Sequence, residues 1–380
     1  MRWFSIVAAI AVVVSLVGCS SSDDVPAISS TESRAVSPDR VQRVRDDIDA
    51  AVASGVSGVI ATLTENGETT TLAAGVGDRA TGVPIPAEPP QQVRVGSVSK
   101  SFIAAIVLQL VSEGRIQLDE PIDSYLPGSI VGDSVDGRVI TVRQILQHRS
   151  GLPEFADSPE IDEYGAALDG RTFTPDDQLA IALRRPAQFA PGARFTYTNT
   201  NYLLAAMLVE RITGRPYTDA LQDRIIRPLG LTGTYLPATG EHDIRGPHPR
   251  GYAPINGIRT DVTRIEPSVP WAAGALVSTG DDLNRYFLDL VAGKVVAAPE
   301  LQQMLAALPT GVDGMPEYGL GVMSAELSCG TSYIGHTGGI TGYATFSGAT
   351  TDGRAATIVW TEPPSQQPDM MAILTRALCP

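Results

Sequence analysis

The sequence predicts an α/β protein in which a lobe built from both ends of the chain carries an inserted, mostly helical lobe. Three observations lead there. Near the start, Val59, Ile60 and Leu63 run into Asn66-Gly67 and a Thr-rich second segment, the pattern of a β-hairpin over 58–76. Near the end, the segments 342–346 and 355–360 flank Asp352-Gly353 and predict a second hairpin. Between them the apolar spacing becomes helical, with helices predicted near 141–149, 175–185, 200–213, 217–227, 279–292 and 299–307. The Pro- and Gly-rich stretches 81–90 and 246–270 read as long surface connections, and no repeat period is visible.

Composition narrows the class of function. With 43% hydrophobic and 18% charged residues the chain can bury a sizeable core. A net charge of -14 argues against nucleic acid and other polyanionic partners, which require a basic face, and against electrostatic adhesion to anionic lipid. The N-terminus nevertheless points to a membrane. Met1-Arg2 precedes an apolar stretch from Trp3 to Val17, then Gly18-Cys19 and a polar Ser20-Ser21-Ser22-Asp23-Asp24 tract. The stretch is shorter than the roughly 20 residues a spanning helix needs, and small residues before Cys19 suggest cleavage. The arrangement resembles a bacterial lipoprotein signal in which Cys19 becomes the lipidated first residue. An uncleaved anchor and a plain secretory signal are the alternatives, and each also exports the body. Residues 20 to about 37 read as a flexible tether. In an exported body, the remaining Cys329 and Cys379 more often form a disulfide than a metal site.

The strongest chemical signal is a lysine. The chain carries two lysines against twenty-six arginines, and one of the two, Lys100, stands three residues after Ser97 at the head of an apolar run. A guanidinium stays charged at any ordinary pH, whereas a desolvated amine can become a base. The spacing of Phe102, Ile103, Ile106, Val107, Leu110 and Val111 predicts a helix from Ser97 to about Ser112, stopped by Gly114. Residues three apart share a helix face, so Lys100 can reach the Ser97 hydroxyl, and the helix start offers free N–H groups to an oxyanion. Ser-x-x-Lys alone would equally describe a capped helix start with a solvated lysine.

Two further constellations add to it. Tyr197 and Asn199 lie two apart in an extended or turning segment ahead of the helix carrying Leu203, Leu204, Met207, Leu208 and Ile212. A phenol beside a cation can pass a proton and an Asn amide can grip a carbonyl; a helix cap next to a buried tyrosine is the plainer reading. His336-Thr337-Gly338-Gly339 precedes the second hairpin, where glycines let an edge strand approach a ligand and the Gly339 N–H can complete an oxyanion hole with that of Ser97. His336 reads either as a base or as a structural, charge-tuning histidine, with no acid placed to orient it. His148, in Gln147-His148-Arg149-Ser150-Gly151-Leu152-Pro153, reads as structural, and no spacing of histidines suggests zinc.

The ordered set Ser97-x-x-Lys100, Tyr197-x-Asn199 and His336-Thr337-Gly338 resembles the penicillin-recognising serine hydrolases. Within them it is most similar to the D-alanyl-D-alanine carboxypeptidases and class C β-lactamases, particularly the secreted actinobacterial carboxypeptidase branch. The likeness runs from about Val41 to the C-terminus and includes Arg227-Pro228-Leu229-Gly230-Leu231, Tyr318-Gly319-Leu320-Gly321 and Leu327-Ser328-Cys329-Gly330. It implies a β-lactamase/transpeptidase-like fold, an antiparallel sheet flanked by helices plus the inserted helical lobe. With the N-terminal reading, the chain divides into a leader over 1–18, a tether over 19–38 and a catalytic body over 39–380, with the α/β lobe from about 39–100 and 270–380 and the helical lobe from about 101–269. Ser97 would be the acylated nucleophile, and Lys100 and Tyr197 would share proton transfers. Asn199 would position the substrate amide, His336 and Thr337 would line the opposite wall, and Cys329 would pair with Cys379. No cofactor or metal is required. Substrates would be peptidoglycan stem peptides, β-lactams or esters, handled by a monomer anchored by lipid to the outer face of the bacterial membrane. An esterase of the same fold and a non-catalytic penicillin-binding lipoprotein are the alternatives.

One departure affects specificity. Secreted carboxypeptidases of this type hold the substrate carboxylate with an Arg shortly before Leu-Ser-Cys-Gly and a hydroxyl residue after His-Thr-Gly. Here those positions carry Met323 and Gly339. Losing a charge-assisted partner costs on the order of 1.5–3 kcal/mol of recognition, which favours acyl donors without a free carboxylate.

Overall fold

The computed structural model describes residues 35–363 and 369–380; the leader 1–18, Cys19 and the tether up to residue 34 lie outside the described residues. The helices that position the site are α1 (Pro38–Ala53), α2 (Ser99–Ser112), α3 (Asn199–Thr213), α4 (Trp271–Gly274), α5 (Gly280–Val291) and α6 (Met370–Leu378). The strands are β1 (Gly58–Glu65), β2 (Glu68–Asp78), β3 (Val83–Pro84), β4 (Glu317–Tyr318), β5 (Met323–Glu326), β6 (Ser332–Ile340), β7 (Tyr343–Thr350) and β8 (Arg354–Trp360). They form one antiparallel sheet in the order β4-β5-β6-β7-β8-β1-β2-β3. The two chain ends therefore meet at the β8–β1 pairing, where Val59 faces Trp360 and Leu63 faces Ala356. This is the α/β architecture the sequence predicts. The β1–β2 hairpin turns at Asn66-Gly67, both with positive φ (52° and 82°), the geometry a two-residue hairpin of this twist requires.

Strand alternation divides the core in two. Val59, Ala61 and Leu63 point to the face covered by α1 and α6, packing with Val44, Ile48, Leu374 and Leu378. Ile60 joins the larger core on the other face with Leu283, Tyr286 and Phe287 of α5 and with α2. On that second face Asn284 donates to Thr62 O and to Thr64 Oγ1 (3.0 Å each) and accepts from Thr357 Oγ1 (2.8 Å), so the Thr64 and Thr357 hydroxyls are satisfied where α5 crosses the sheet.

α2 is enclosed on all sides rather than along one stripe: every residue from Ser99 to Leu108 is buried. Burial of each large apolar side chain there contributes roughly 1.5–3 kcal/mol. It also carries Lys100 into the interior. The helix begins two residues later than predicted, because Ser97 sits in a single 3₁₀ turn, Gly96–Val98, that leads into α2. Pairing of Val93–Arg94 with Val277–Ser278 holds this turn beside α4.

α1 and α6 were not among the predicted helices. They are joined by Arg40, whose buried guanidinium donates to Ala377 O, Ala355 O (2.7 Å) and Thr64 O (3.3 Å), and by the Arg376–Asp47 pair at 2.8 Å. A disulfide between Cys329 and Cys379, Cα atoms 5.9 Å apart, ties the end of α6 to the β5–β6 turn. It closes a loop of 50 residues, worth about 4 kcal/mol in the chain-entropy view. Among the described residues, no helix is long and apolar enough to cross a membrane.

Candidate active site

The site lies where the Ser97 turn meets an incompletely paired strand. β5 pairs with β6 only from Ser332 to Gly335, so residues 336–340 present an unpaired edge on that side. The approach is close enough to dictate composition. A Cβ on Gly338 would stand 1.9 Å from Val95 O, and one on Gly96 (φ +54°) would stand 2.7 Å from Gly339 O. A Cβ on Gly339 would meet nothing within 4 Å, leaving open space above that residue.

Into this junction three elements deliver polar groups. Lys100 Nζ, on the first turn of α2, lies 2.9 Å from Ser97 Oγ, 2.8 Å from Asn199 Oδ1 and 2.9 Å from Ala273 O, the last contributed by α4. Asn199 opens α3, capped by Thr198. The three partners suit a neutral amine: two carbonyl oxygens accept its two N–H bonds, and its lone pair is left for the one neighbour that can donate, the Ser97 hydroxyl. Burial in the interior lowers the Lys100 pKa to about 7, against a smaller upward pull from the Glu154 carboxylate. Ser97 itself is partly exposed between buried neighbours.

The Tyr197 ring stands with its centroid 5.0 Å from Lys100 Nζ and stacks on His148 at 4.1 Å. Its hydroxyl is buried and has no well-formed hydrogen bond among the described residues. Burial pushes the phenol well above its usual range, against a lesser opposing effect of the neighbouring Ser97 hydroxyl. It is therefore a neutral phenol: the phenolate that a nearby cation would favour is disfavoured by desolvation. His148 is fully buried and adopts φ +56°; its Nδ1 accepts from Thr198 N–H (3.2 Å), so its role is structural support beneath Tyr197.

His336 does not face the cleft. Its ring is fully buried, Nδ1 lies against Thr337 O, and Nε2 is 2.9 Å from the Tyr318 hydroxyl. These contacts fix the tautomer with the proton on Nδ1 and Nε2 accepting from Tyr318, and burial lowers its pKa to about 3. A neutral, occupied ring supports β6 from behind, and only its neighbour Thr337 is partly exposed. Thr337 Oγ1 lies 3.9 Å from Met323 Sδ, so a thioether stands beside it at the position considered for a carboxylate-binding cation.

One functional neighbour was absent from the sequence reading. Glu154, half-buried after Gly151-Leu152-Pro153, accepts from Asn199 N–H (2.6 Å) and Asn199 Nδ2 (3.2 Å) on Oε2 and from Ala156 N–H (3.0 Å) on Oε1. Among the described residues no group of three or more His, Cys, Asp or Glu is arranged to hold a metal ion.

Residues 44–377 match the model of the family described as Beta-lactamase. The chain belongs to this beta-lactamase family. Its fold is that of the β-lactamases and penicillin-binding proteins. Among proteins similar to it is the putative penicillin-binding protein PbpX of Bacillus subtilis, 26% identical over 229 residues, which cover 59% of this chain and 52% of the relative. The chain spans about half the length of the curated relatives it matches. Whole-chain likeness is higher among solved structures. A D-stereospecific amidohydrolase from Streptomyces sp. is 34% identical with a TM-score of 0.77, covering 84% of this chain and 94% of that one. The D-amino acid amidase of Ochrobactrum anthropi SV3 is 27% identical with a TM-score of 0.77, covering 89% and 98%.

Proposed function

We propose that the protein hydrolyses amide bonds through an acyl-enzyme on Ser97, acting on D-amino-acid amides or peptides that lack a free carboxylate next to the scissile bond. The observation that carries the nucleophile assignment is the buried amine of Lys100, 2.9 Å from Ser97 Oγ with both its N–H bonds committed to carbonyl oxygens. In acylation the Ser97 O–H proton passes to Lys100 Nζ as Oγ bonds to the substrate carbonyl carbon. The oxyanion formed is received by the backbone N–H groups of Ser97 and Gly339. Collapse breaks the C–N bond, and the leaving amine takes a proton delivered from Lys100 through the neutral Tyr197 hydroxyl. Water then cleaves the Ser97 ester. Asn199 orients the substrate amide.

Met323 beside Thr337 argues for the substrate class, since it offers a carboxylate nothing. The likeness to a D-stereospecific amidohydrolase and to a D-amino acid amidase supports the same reading. Export of the body and its attachment to the outer face of the membrane through lipid on Cys19 form part of the proposal, as does action as a monomer.

The test is intact-protein mass spectrometry after incubation with a penicillin, for the wild type and Ser97→Ala. Hydrolysis of D-phenylalanine amide, a short acyl ester and a diacetylated D-Ala-D-Ala peptide is measured on the same preparations. An adduct on wild type alone, with amide turnover exceeding that of the carboxylate-bearing peptide, is expected. Ester turnover without amide turnover would replace the amidohydrolase with an esterase. Absence of any adduct or turnover would sink the Ser97 assignment.

A further inference from the structure

With Ala273 O fixed as one acceptor of the Lys100 amine, the part of the arrangement that can change, and with it the lone pair on which acylation depends, is the orientation of the Asn199 amide. An Asn side chain has a carbonyl end and an NH₂ end of nearly equal size, and rotating it by half a turn exchanges them. With Oδ1 toward Lys100 Nζ at 2.8 Å, the amine spends an N–H on it and keeps its lone pair for Ser97. With Nδ2 in that place, the amine would have to accept, and its lone pair would be taken from Ser97. Nothing about Lys100 itself decides between these states, because an amine can donate or accept.

The partner at the other end of Asn199 does decide. Glu154 Oε2 accepts both the backbone N–H of Asn199 and its Nδ2, while Oε1 accepts from Ala156 N–H. A carboxylate has acceptors only, so the NH₂ end of Asn199 must face Glu154 and the carbonyl end must face Lys100. We infer that Glu154 is a positioning residue of the acylation machinery: it locks the Asn199 amide in the orientation that reserves the Lys100 lone pair for Ser97. The inference rests on the acyl-enzyme reading but not on which acyl donor is used. It also explains why an acid is tolerated in a half-buried position with no direct ion pair among the described residues: its oxygens accept from three N–H groups.

Glu154 has a second, electrostatic effect with a different signature. Its charge favours the protonated form of Lys100 and so opposes burial. The other titratable groups facing Lys100 are Tyr197 from the segment ahead of α3, Tyr202 from α3 and the ring of His336 from β6, with His148 behind Tyr197. Both phenols and both imidazoles are held neutral by burial, while burial raises the Glu154 carboxyl above its ordinary value, so the acid limb of acylation reports Lys100 and Glu154 together.

The experiment is the single-turnover rate of Ser97 acylation by a penicillin as a function of pH in the full-length wild type, Glu154→Gln and Glu154→Asp, with thermal unfolding as the fold control. Glutamine is isosteric but carries its own NH₂ and no charge. The plateau rate of Glu154→Gln is expected to fall by roughly tenfold or more, because the amide can turn over. Its acid limb is expected to move to lower pH, because the lysine has lost its anion. Glu154→Asp keeps charge and acceptors on a shorter arm, so its limb should stay near that of the wild type while most of the rate returns. It carries the test if Glu154→Gln does not fold. Unchanged plateau and limb in a folded Glu154→Gln would overturn the inference. So would unchanged acylation accompanied by a raised KM for D-phenylalanine amide alone, which would make Glu154 a reader of substrate. A wild type that takes no acyl group would overturn the nucleophile assignment and the inference with it.

Discussion

A buried amine acts as a base only if it can be neutral when substrate arrives, and Lys100 reaches that condition through desolvation. Its pKa stands near 7 in the folded protein against 10.5 in the free side chain. Below about pH 7 both folded and unfolded chains hold the proton, and the folded state carries the full penalty of a buried ammonium. Between about 7 and 10.5 only the unfolded chain still holds it, so the penalty fades and stability rises with pH. The whole excursion is on the order of a few kcal/mol. Relative to Lys100→Met, which has no such group, the melting temperature of the wild type is therefore expected to improve steadily from pH 7 to pH 10. Calorimetry at several pH values checks this, and a constant difference would mean that Lys100 is not buried as an amine. The importance of this residue was legible in the sequence because a chain so rich in arginine has little other use for a lysine. Glu154 was not legible: it follows an unremarkable Gly-Leu-Pro turn, and its partner lies 45 residues away. His336 shows the opposite error, since its motif was plain but whether the ring enters the cleft or the core depends on Tyr318, which sequence spacing does not reveal.

Among the elements, β6 determines whether the site exists. Its second half is free of a neighbouring strand on the β5 side yet lies so close to the Ser97 turn that two consecutive glycines have opposite tolerance. Gly338→Ala would force the strand and Val95 apart and displace the Ser97 N–H, which a new Cβ would approach to 3.2 Å. A loss of about 1–3 kcal/mol or more is expected, together with loss of acylation. Gly339→Ala meets nothing within 4 Å and is expected to fold within about 0.5 kcal/mol of the wild type. Urea unfolding of the two variants distinguishes them, and equal midpoints would contradict the close approach. Both hairpins and the central helices were readable because their turn residues and apolar period agree with their burial. α1 escaped although Pro38 starts it and Val44 and Ile48 keep its period. The third member of that buried stripe is Arg40, a charge where an apolar residue is expected, whose guanidinium is satisfied by carbonyls of β1, β8 and α6 and by the Glu65 carboxylate at 3.5 Å.

At the scale of the whole molecule, the proposal of a membrane tether depends on one atom of the chain, the sulfur of Cys19. Cys19→Ser would remove the site of lipidation while leaving the described body unaltered. In a bacterial host the variant is expected to leave the membrane fraction with its acylation rate unchanged. Equal retention of both proteins by the membrane would argue for an uncleaved anchor instead. The body that such a tether would carry is arranged in layers: α1 and α6 cover one face of the sheet, and α2 with its lysine lies under the other.

The contact between α1 and α6 means that the two ends of the described body come together, with Arg43 donating to Cys379 O at 2.8 Å. In topological terms the body is nearly a closed ring. A short linker joining its ends, with a new opening at the exposed Asn256-Gly257 turn, would reorder the chain while leaving the layers, the sheet order and the lysine beneath it in place.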